Sequence, residues 1–256
     1  MYRVDLNSDL GESFGAYKIG CDGQVIENVT SVNIACGWHA GDPVVLNNTI
    51  TLAKENGVAI GAHPGYPDLM GFGRRNMNVS LDEVYAYVLY QLGAFSAFAK
   101  KNAKDIQHVK PHGAMYNMAS KDIKLAAAIC RAVRDFDPQI IVLAAFGSKM
   151  IEAAGEEGLA YASEVFADRA YQADGSLVPR SQPGAMVTDE EIAIQRVVRM
   201  VREGRVQAIT GEDIEVRADS ICVHGDGPKA VAFTARIRTA LAAEGLQIVN
   251  LGSFVR

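Results

Sequence analysis

The sequence predicts an α/β fold in which short buried strands alternate with helices, in the form of a (β/α) barrel. Two observations support this: seven apolar runs recur along the 256 residues, and helical patterns with start signals lie between them. Seven or eight such units in this length fit a barrel, complete or incomplete. A doubly wound open sheet is the alternative, but its usual Gly-x-Gly-x-x-Gly after the first strand is missing.

The apolar runs are short and rich in Val and Ile, which favours strands over helices. They span residues 2–8, 29–36, 58–62, 106–109, 140–144, 162–166 and 220–223. Residues 206–216 predict a short strand, a turn at Gly211 and another strand, and residues 167–187 have loop character. Both segments are interpreted as additions near a site, so that residues 1–256 form one domain.

Sequence signals also mark where several helices begin. Asp42-Pro43 is an N-cap followed by proline in the first turn. Ser80–Glu83 is a capping box, and a second box is predicted at Thr188–Glu191. The first box opens a helix with one apolar face, formed by Val84, Val88, Leu92 and Phe95. Gly227-Pro228 precedes a last helix over residues 229–244.

Composition and charge exclude several functional classes. Lys plus Arg is 25 and Asp plus Glu is 30, a formal charge of −5 without a basic block, which predicts no nucleic-acid or membrane partner. No apolar run approaches the roughly 20 residues of a membrane span, and no signal segment is recognisable. The four cysteines are far apart and form no Cys-x-x-Cys. This pattern fits reduced thiols in a cytoplasmic protein.

Motifs for two common chemistries are absent. Without Gly-x-x-x-x-Gly-Lys-Ser/Thr or Gly-x-Ser-x-Gly, neither a P-loop nor a hydrolase-type serine is expected. Cys36 offers a thiol nucleophile beside His39, but it ends an apolar run, where packing is the commoner role. Trp38, the only tryptophan, either lines a pocket or packs against neighbouring side chains.

Polar residues are concentrated where the apolar runs end. In a (β/α) barrel these carboxyl ends meet on one face, where barrel active sites are built. Four of the five histidines lie there: His39, His63, His112 and His224. The fifth, His108, shares a strand face with Lys110 by alternation. Each histidine alone is also compatible with a structural role, but their shared position favours one site.

The candidate residues fall into three sets. The candidate catalytic residues are Asp9, His39, His63, Lys110, His112 and His224. The candidate substrate-binding residues are Asn7, Glu12, Arg74, Asp168, Arg169 and Asp226. Candidate ligands for zinc or a similar divalent ion are Asp9, His39 and His63, and a metal-free acid–base cluster is the equal alternative. Arg74-Arg75, which follow Gly71 and Gly73, are interpreted either as a site for a carboxylate or phosphate or as part of a solvated loop.

Several long motifs resemble one known family. They are residues 5–12, 33–42, 61–68, 110–114, 164–169 and 224–226. In this order, over nearly the whole chain, they resemble the LamB/YcsF family, with Trp38 where that family often has Phe. The resemblance implies a seven-stranded (β/α) barrel akin to the glycoside hydrolase/deacetylase superfamily.

The resemblance also implies an activity. It implies a 5-oxoprolinase that opens 5-oxo-L-proline to L-glutamate, with ATP consumed in a complex with partner subunits B and C. Asp9, His39 or His63 would then be the base, and His112 or His224 would protonate the leaving nitrogen. Lys110 or Arg169 would stabilise negative charge or hold the substrate carboxylate.

Two alternatives remain open at this point. One is a stand-alone metal-dependent deacetylase or amidohydrolase acting on a carbohydrate or small amide, and the other is a non-catalytic subunit that presents substrate. The bound metal and any homo-oligomer are also left open.

Overall fold

Seven parallel strands close into a barrel in the computed structural model, which describes residues 2–223 and 228–255. The described strands are β1 (Arg3–Leu10), β2 (Ser31–Ala35), β3 (Ala59–His63), β4 (Ile106–Val109), β5 (Ile141–Ala145), β6 (Tyr161–Phe166), β7 (Arg205–Gln207), β8 (Asp213–Glu215), β9 (Ser220–Cys222) and β10 (Gln247–Ile248). The barrel consists of β1 to β6 and β9. Each predicted apolar run corresponds to one of these strands, so the predicted fold class is confirmed.

Strand β9 closes the ring because it pairs with both β1 and β6. Cys222 lies opposite Asn7 on one side, and Ser220 lies opposite Glu164 on the other. The remaining neighbours follow chain order from β1 to β6, and all pairs in the ring are parallel. The carboxyl ends of the seven strands therefore meet at one end of the barrel.

Helices follow the strands and surround the barrel. Those described are α1 (Asp22–Val25), α2 (Pro43–Glu55), α3 (Leu81–Lys101), α4 (Gly113–Ala119), α5 (Ile123–Phe136), α6 (Lys149–Glu156), α7 (Glu190–Glu203) and α8 (Pro228–Ala243). The predicted apolar face of α3 is buried in the core at all four positions. In the described part of the chain, no helix has the length and apolar character needed to cross a membrane.

The predicted starts of α2 and α3 are confirmed. The Asp42 carboxylate accepts hydrogen bonds from the N–H groups of Val44 (2.8 Å) and Val45 (2.9 Å). At α3 the capping box is complete: the Glu83 N–H donates to Ser80 Oγ, and the Ser80 N–H donates to Glu83 Oε2. Both helices thereby satisfy donors that have no partner inside the helix.

The start of α7 differs from the prediction. The capping box predicted at Thr188–Glu191 is wrong, because the N-cap is Asp189, one residue later. Its short carboxylate accepts the Ile192 N–H at 3.0 Å, so the capping oxygen is already supplied without Thr188. The predicted hairpin is confirmed: β7 and β8 pair antiparallel, and Gly211 has a φ of 95° in the turn.

The barrel interior is polar, whereas most (β/α) barrels fill it with branched apolar side chains. The Asp5 carboxylate, fully buried, accepts hydrogen bonds from Thr30 Oγ1 (2.7 Å), Ser31 Oγ (2.8 Å) and Ser220 Oγ. Burial raises the pKa of Asp5 to about 6, although the three hydroxyls act in the opposite direction. Hydrogen bonds between strands therefore replace apolar packing inside the ring.

Candidate active site

Two groups of side chains meet at the carboxyl ends of the strands. The lysine group comprises Asn7, Asp9, Asn33, Lys110, Tyr116, Glu164 and Cys222. The histidine group comprises Glu12, His39, His63 and His112. Asp9 Oδ2 lies 3.5 Å from His63 Nε2, so the two groups adjoin.

Lys110 is the centre of the lysine group and is only 3% exposed. Its Nζ lies 2.8 Å from Glu164 Oε1, 3.1 Å from Asp9 Oδ1 and 3.3 Å from Cys222 Sγ. Burial lowers the pKa of Lys110, but the negative charges of Asp9 and Glu164 outweigh burial and raise this pKa well above its usual value. The ammonium is therefore a fixed positive charge.

Glu164 has hydrogen-bond donors at both carboxylate oxygens. Asn7 Nδ2 donates to Oε1 at 3.0 Å, and the Tyr116 hydroxyl donates to Oε2 at 2.9 Å. Burial, reinforced by the Glu164 charge, holds the pKa of Tyr116 well above its usual value, so the phenol remains a neutral donor. Glu164 is thus the buried counterion of Lys110.

Asn33 orients Asp9 from the neighbouring strand. Its Nδ2 donates to Asp9 Oδ1 (2.8 Å) and Asn7 Oδ1 (2.7 Å), and its Oδ1 lies 2.6 Å from His108 Nε2. Burial, with the nearby Lys110 charge, lowers the pKa of His108 to about 3, so this ring is neutral and donates through Nε2. His108 and Lys110 both reach into the barrel, as strand alternation predicts.

Backbone carbonyls fix the proton positions of two histidines. His63 Nδ1 lies 2.6 Å from the Lys110 carbonyl oxygen, and His112 Nε2 lies 2.9 Å from the Phe72 carbonyl oxygen. Because a carbonyl only accepts, each of these nitrogens carries the hydrogen. The other two nitrogens, His63 Nε2 and His112 Nδ1, lie 3.0 Å apart. In neutral rings both present lone pairs to each other.

His39 completes the group and is fully buried. Its ring stacks on His112, with centroids 3.8 Å apart and an interplanar angle of 4°. Within residues 2–223 and 228–255, neither ring nitrogen of His39 has a hydrogen-bond partner. Burial, then the neighbouring His112 and His63, hold the pKa of His39 well below its usual value, so the ring is neutral. An unsatisfied buried donor of this kind costs about 1–3 kcal/mol.

Glu12 supplies a carboxylate beside these rings. Its Oε1 lies 3.9 Å from His112 Nδ1. One donor atom from each of Glu12, His39, His63 and His112 lies within 4.8 Å of all the others, and all four residues are buried. Imidazole and carboxylate donors together suit zinc and related divalent metals. The ligand set predicted from sequence shares His39 and His63 with this group, and Asp9 lies beside it.

The two arginines of the glycine-flanked loop have different environments. Arg75 pairs with the buried Asp68 carboxylate and so fixes the loop. Arg74 is exposed, and its guanidinium carbon lies 5.0 Å from the Phe72 ring centroid. The Phe72 ring centroid lies 5.3 Å from that of the His112 ring, so Arg74 is at the edge of the histidine group, and its charge contributes to the lowered pKa of His39.

The loop after β6 holds two further predicted residues. Arg169 is buried; its Nη2 donates to the Val178 carbonyl (2.7 Å), and its Nε has no partner in the described chain. Asp168 is half-buried beside it. His224 and Asp226 lie outside the described residues. The structure therefore brings the predicted residues of the two groups together and places Arg169 against its own loop.

Cys36 packs in the hydrophobic core, and Trp38 packs against α3. Burial raises the pKa of the Cys36 thiol to about 12, which favours the packing role over a nucleophile. The Trp38 ring centroid lies 5.0 Å from that of Tyr87 and 5.5 Å from that of Tyr90, both on α3.

Sequence reasoning missed four members of the lysine group: Asn33, Tyr116, Glu164 and Cys222. A signal existed for three of them. Glu164 and Asn33 are polar residues inside otherwise apolar strands, where an uncompensated charge or amide is costly. Tyr116 follows His112 by one helical turn, which directs both side chains to the same side of α4.

The comparison with known proteins gives one decisive match. The sequence model of the LamB/YcsF family matches residues 4–256. The chain belongs to the LamB/YcsF family. This LamB/YcsF protein is 57% identical to the 5-oxoprolinase A subunit of Clostridium beijerinckii over 98% of both chains. It is 56% identical to the 5-oxoprolinase A subunit of Alkaliphilus metalliredigens over 100% of both.

A solved structure shares the whole fold. The crystal structure of the lactam utilization protein from Thermus thermophilus is 47% identical, with a TM-score of 0.92. The match covers 96% of this chain and 99% of that one. The family resemblance predicted from the motifs is thus confirmed.

Proposed function

We propose that this chain hydrolyses the lactam of 5-oxo-L-proline to L-glutamate, as the A subunit of a 5-oxoprolinase that consumes ATP with subunits B and C. The observation that carries the proposal is the full-length similarity, at 57% and 56% identity, to proteins named as 5-oxoprolinase A subunits. The structural match to a lactam utilization protein supports the same substrate class. Four free thiols support a cytoplasmic setting.

Opening a lactam requires three things of a site. Water adds its oxygen to the ring carbonyl carbon, the carbon–nitrogen bond breaks, and the nitrogen gains a proton. The site must take a proton from water, stabilise negative charge on the carbonyl oxygen and return a proton to nitrogen. The lactam ring is stable relative to glutamate, so ATP consumption by the complex would drive the opening.

The two groups offer these functions side by side. Asp9 is 19% exposed at its side chain, and Lys110 and Asn33 fix its Oδ1. Its Oδ2 faces the histidine group, 3.5 Å from His63 Nε2, and is placed to take the proton of an attacking water. Asp9 then returns that proton to the leaving nitrogen. The Lys110 ammonium supplies positive charge for the developing oxyanion.

Arg74 is the proposed contact for the substrate carboxylate. It is exposed at the edge of the histidine group, and Arg75 rather than Arg74 is paired with Asp68. A guanidinium there attracts an anionic substrate and can bind its carboxylate through two hydrogen bonds.

The experiment is glutamate release from 5-oxo-L-proline, measured with the chain alone and with subunits B and C, each with and without ATP. Release only with partners and ATP is expected. Asp9→Asn should reduce release about 10²–10⁴-fold while the chain stays folded. Asp105→Asn, an exposed acid before β4, is the matched control and should leave the rate unchanged. Full activity of Asp9→Asn would remove Asp9 from the mechanism.

The histidine group favours one second candidate function, a stand-alone metal-dependent amidohydrolase. Such an enzyme would act on a small amide without ATP or partners and would lose activity in chelator. Turnover of an amide by the isolated chain, restored by added divalent metal, would replace the first proposal with this one.

A further inference from the structure

We propose that the histidine group binds one divalent metal ion of the zinc class through Glu12, His39, His63 and His112. The inference rests on the proposed function for the use of the site, but the binding itself is independent of which amide is hydrolysed. It starts from the proton positions that the backbone imposes on these rings.

The facing nitrogens of His63 and His112 require a cation between them. Each ring donates its single proton to a backbone carbonyl, of Lys110 and of Phe72 respectively. His63 Nε2 and His112 Nδ1 are then two lone pairs directed at each other across 3.0 Å in a buried site. Two acceptors at hydrogen-bond distance repel unless a proton or a metal ion lies between them.

His39 distinguishes a metal ion from a shared proton. A proton between His63 and His112 would leave the buried His39 with no partner at either nitrogen among the described residues. A metal ion takes a lone pair from His39 as well, because a ring nitrogen of His39 lies within 4.8 Å of the donor atoms of the other three residues.

The spacing of the donors fits such an ion after small movements. With bond lengths of about 2.1 Å, ligand atoms around a divalent metal are about 3.0–3.4 Å apart. The His63–His112 pair is at 3.0 Å, and Glu12 Oε1 is 3.9 Å from His112 Nδ1. All donor atoms of the group lie within 4.8 Å of one another. Rotation of the Glu12 side chain, and rotation of the His39 ring out of its stack on His112, would bring the four donors to one ion.

The environment of the rings also matches metal-ligating histidines. Such histidines almost always donate their second ring N–H to a carbonyl or carboxylate, which fixes the tautomer. His63 and His112 both do so. Three imidazoles select zinc, cobalt, nickel, iron or manganese over magnesium and calcium, which prefer oxygen ligands.

The test measures metal binding rather than activity. The full chain is stripped with chelator and titrated with Zn²⁺, Mn²⁺ and Co²⁺ separately, with bound metal counted by mass spectrometry and Co²⁺ followed by its visible spectrum. One ion per chain is expected. Glu12→Gln and His63→Ala should each weaken binding by about 100-fold or more. His108→Gln, a buried histidine outside the group, is the control and should keep binding.

Circular dichroism is used to check that each variant is folded. If His63→Ala does not fold, Glu12→Gln tests the site alone, because glutamine has nearly the shape and volume of glutamate. No binding of any of the three metals by the wild-type chain would overturn the inference and leave a shared proton between the rings. Equal binding by the wild type and Glu12→Gln would also overturn it. If the protein binds metal but the full complex releases no glutamate, the metal site is supported and the proposed function, hydrolysis of 5-oxo-L-proline, is rejected.

Discussion

The imidazole of His108 fills the space in front of Gly61. A Cβ built on Gly61 would lie 2.1 Å from His108 Nε2, closer than any real contact. The two residues lie opposite each other in the register of β3 and β4. The missing side chain is therefore what lets His108 reach Asn33, which in turn orients Asp9.

Gly61→Ala should destabilise the protein by about 2–4 kcal/mol, because the ring is displaced and its buried hydrogen bond to Asn33 is lost. Urea unfolding measures this effect. Gly93→Ala is the matched control, since nothing lies within 4 Å of a Cβ there and the site is in α3. Helix propensity predicts that this control raises stability by about 0.5–1 kcal/mol. Equal stabilities for the two variants would contradict the packing argument.

Lys110→Met should lower the free energy of unfolding by about 3–5 kcal/mol, because it leaves the carboxylates of Asp9 and Glu164 without their buried counterion. Glu164 is 1% exposed and bears most of this cost. In the double variant Lys110→Met/Glu164→Gln the loss should be smaller than the sum of the single losses by about 1–3 kcal/mol. Denaturant unfolding of the four proteins gives this coupling free energy. Additive losses would show that the two residues do not stabilise each other.

The raised pKa of Asp5 predicts a pH dependence of stability. The folded protein holds the Asp5 proton up to about pH 6, whereas the unfolded chain releases it near its ordinary value of 3.8. Stabilisation from this group is therefore complete below about pH 4 and is lost as pH rises to about 6, by about 2–3 kcal/mol. Asp5→Asn should remove this decline. Unfolding free energies at pH 4, 5, 6 and 7 measure it, and parallel curves for both proteins would contradict the assignment.

Arg74→Ala should raise KM for 5-oxo-L-proline about tenfold and leave kcat nearly unchanged, because the guanidinium binds the carboxylate equally in substrate and transition state. Steady-state kinetics of the complete complex separates the two constants. Arg131→Ala, an exposed arginine on α5, is the control for net charge. A fall in kcat with constant KM would instead place Arg74 at the reacting atoms.

The strands were predictable because each is short and contains Val or Ile, which favours a strand over a helix even where polar residues face the barrel interior. The helix starts of α2 and α3 were predictable because the hydrogen bonds that cap each helix are made within its own first turn. At α7 two neighbouring residues could both cap, and the sequence did not decide between Thr188 and Asp189.

All four residues of the histidine group were candidate residues in the sequence, whereas four residues of the lysine group were not. Histidines at strand ends indicated a shared site, as the convergence of His39, His63 and His112 shows. The partners of Lys110 depend on which residues lie opposite each other in neighbouring strands, and one sequence does not determine that register. Glu164 was missed for this reason, since its strand β6 comes near β1 only because β9 pairs with both and closes the ring.

The polar interior of the barrel also constrains how the chain folds during synthesis. The carboxylate of Asp5 and the amide of Asn7 depend on Ser220, which is 215 and 213 residues away in the chain. A nascent chain that has been synthesised only as far as the end of β6 already contains Asp5 and Asn7 but not yet their partner Ser220. Contacts of such long range form slowly, and the buried network is complete only when β9 inserts. The barrel is thus expected to close only after most of the chain has been synthesised, when β9, in the last fifth of the chain, pairs with β1 and β6.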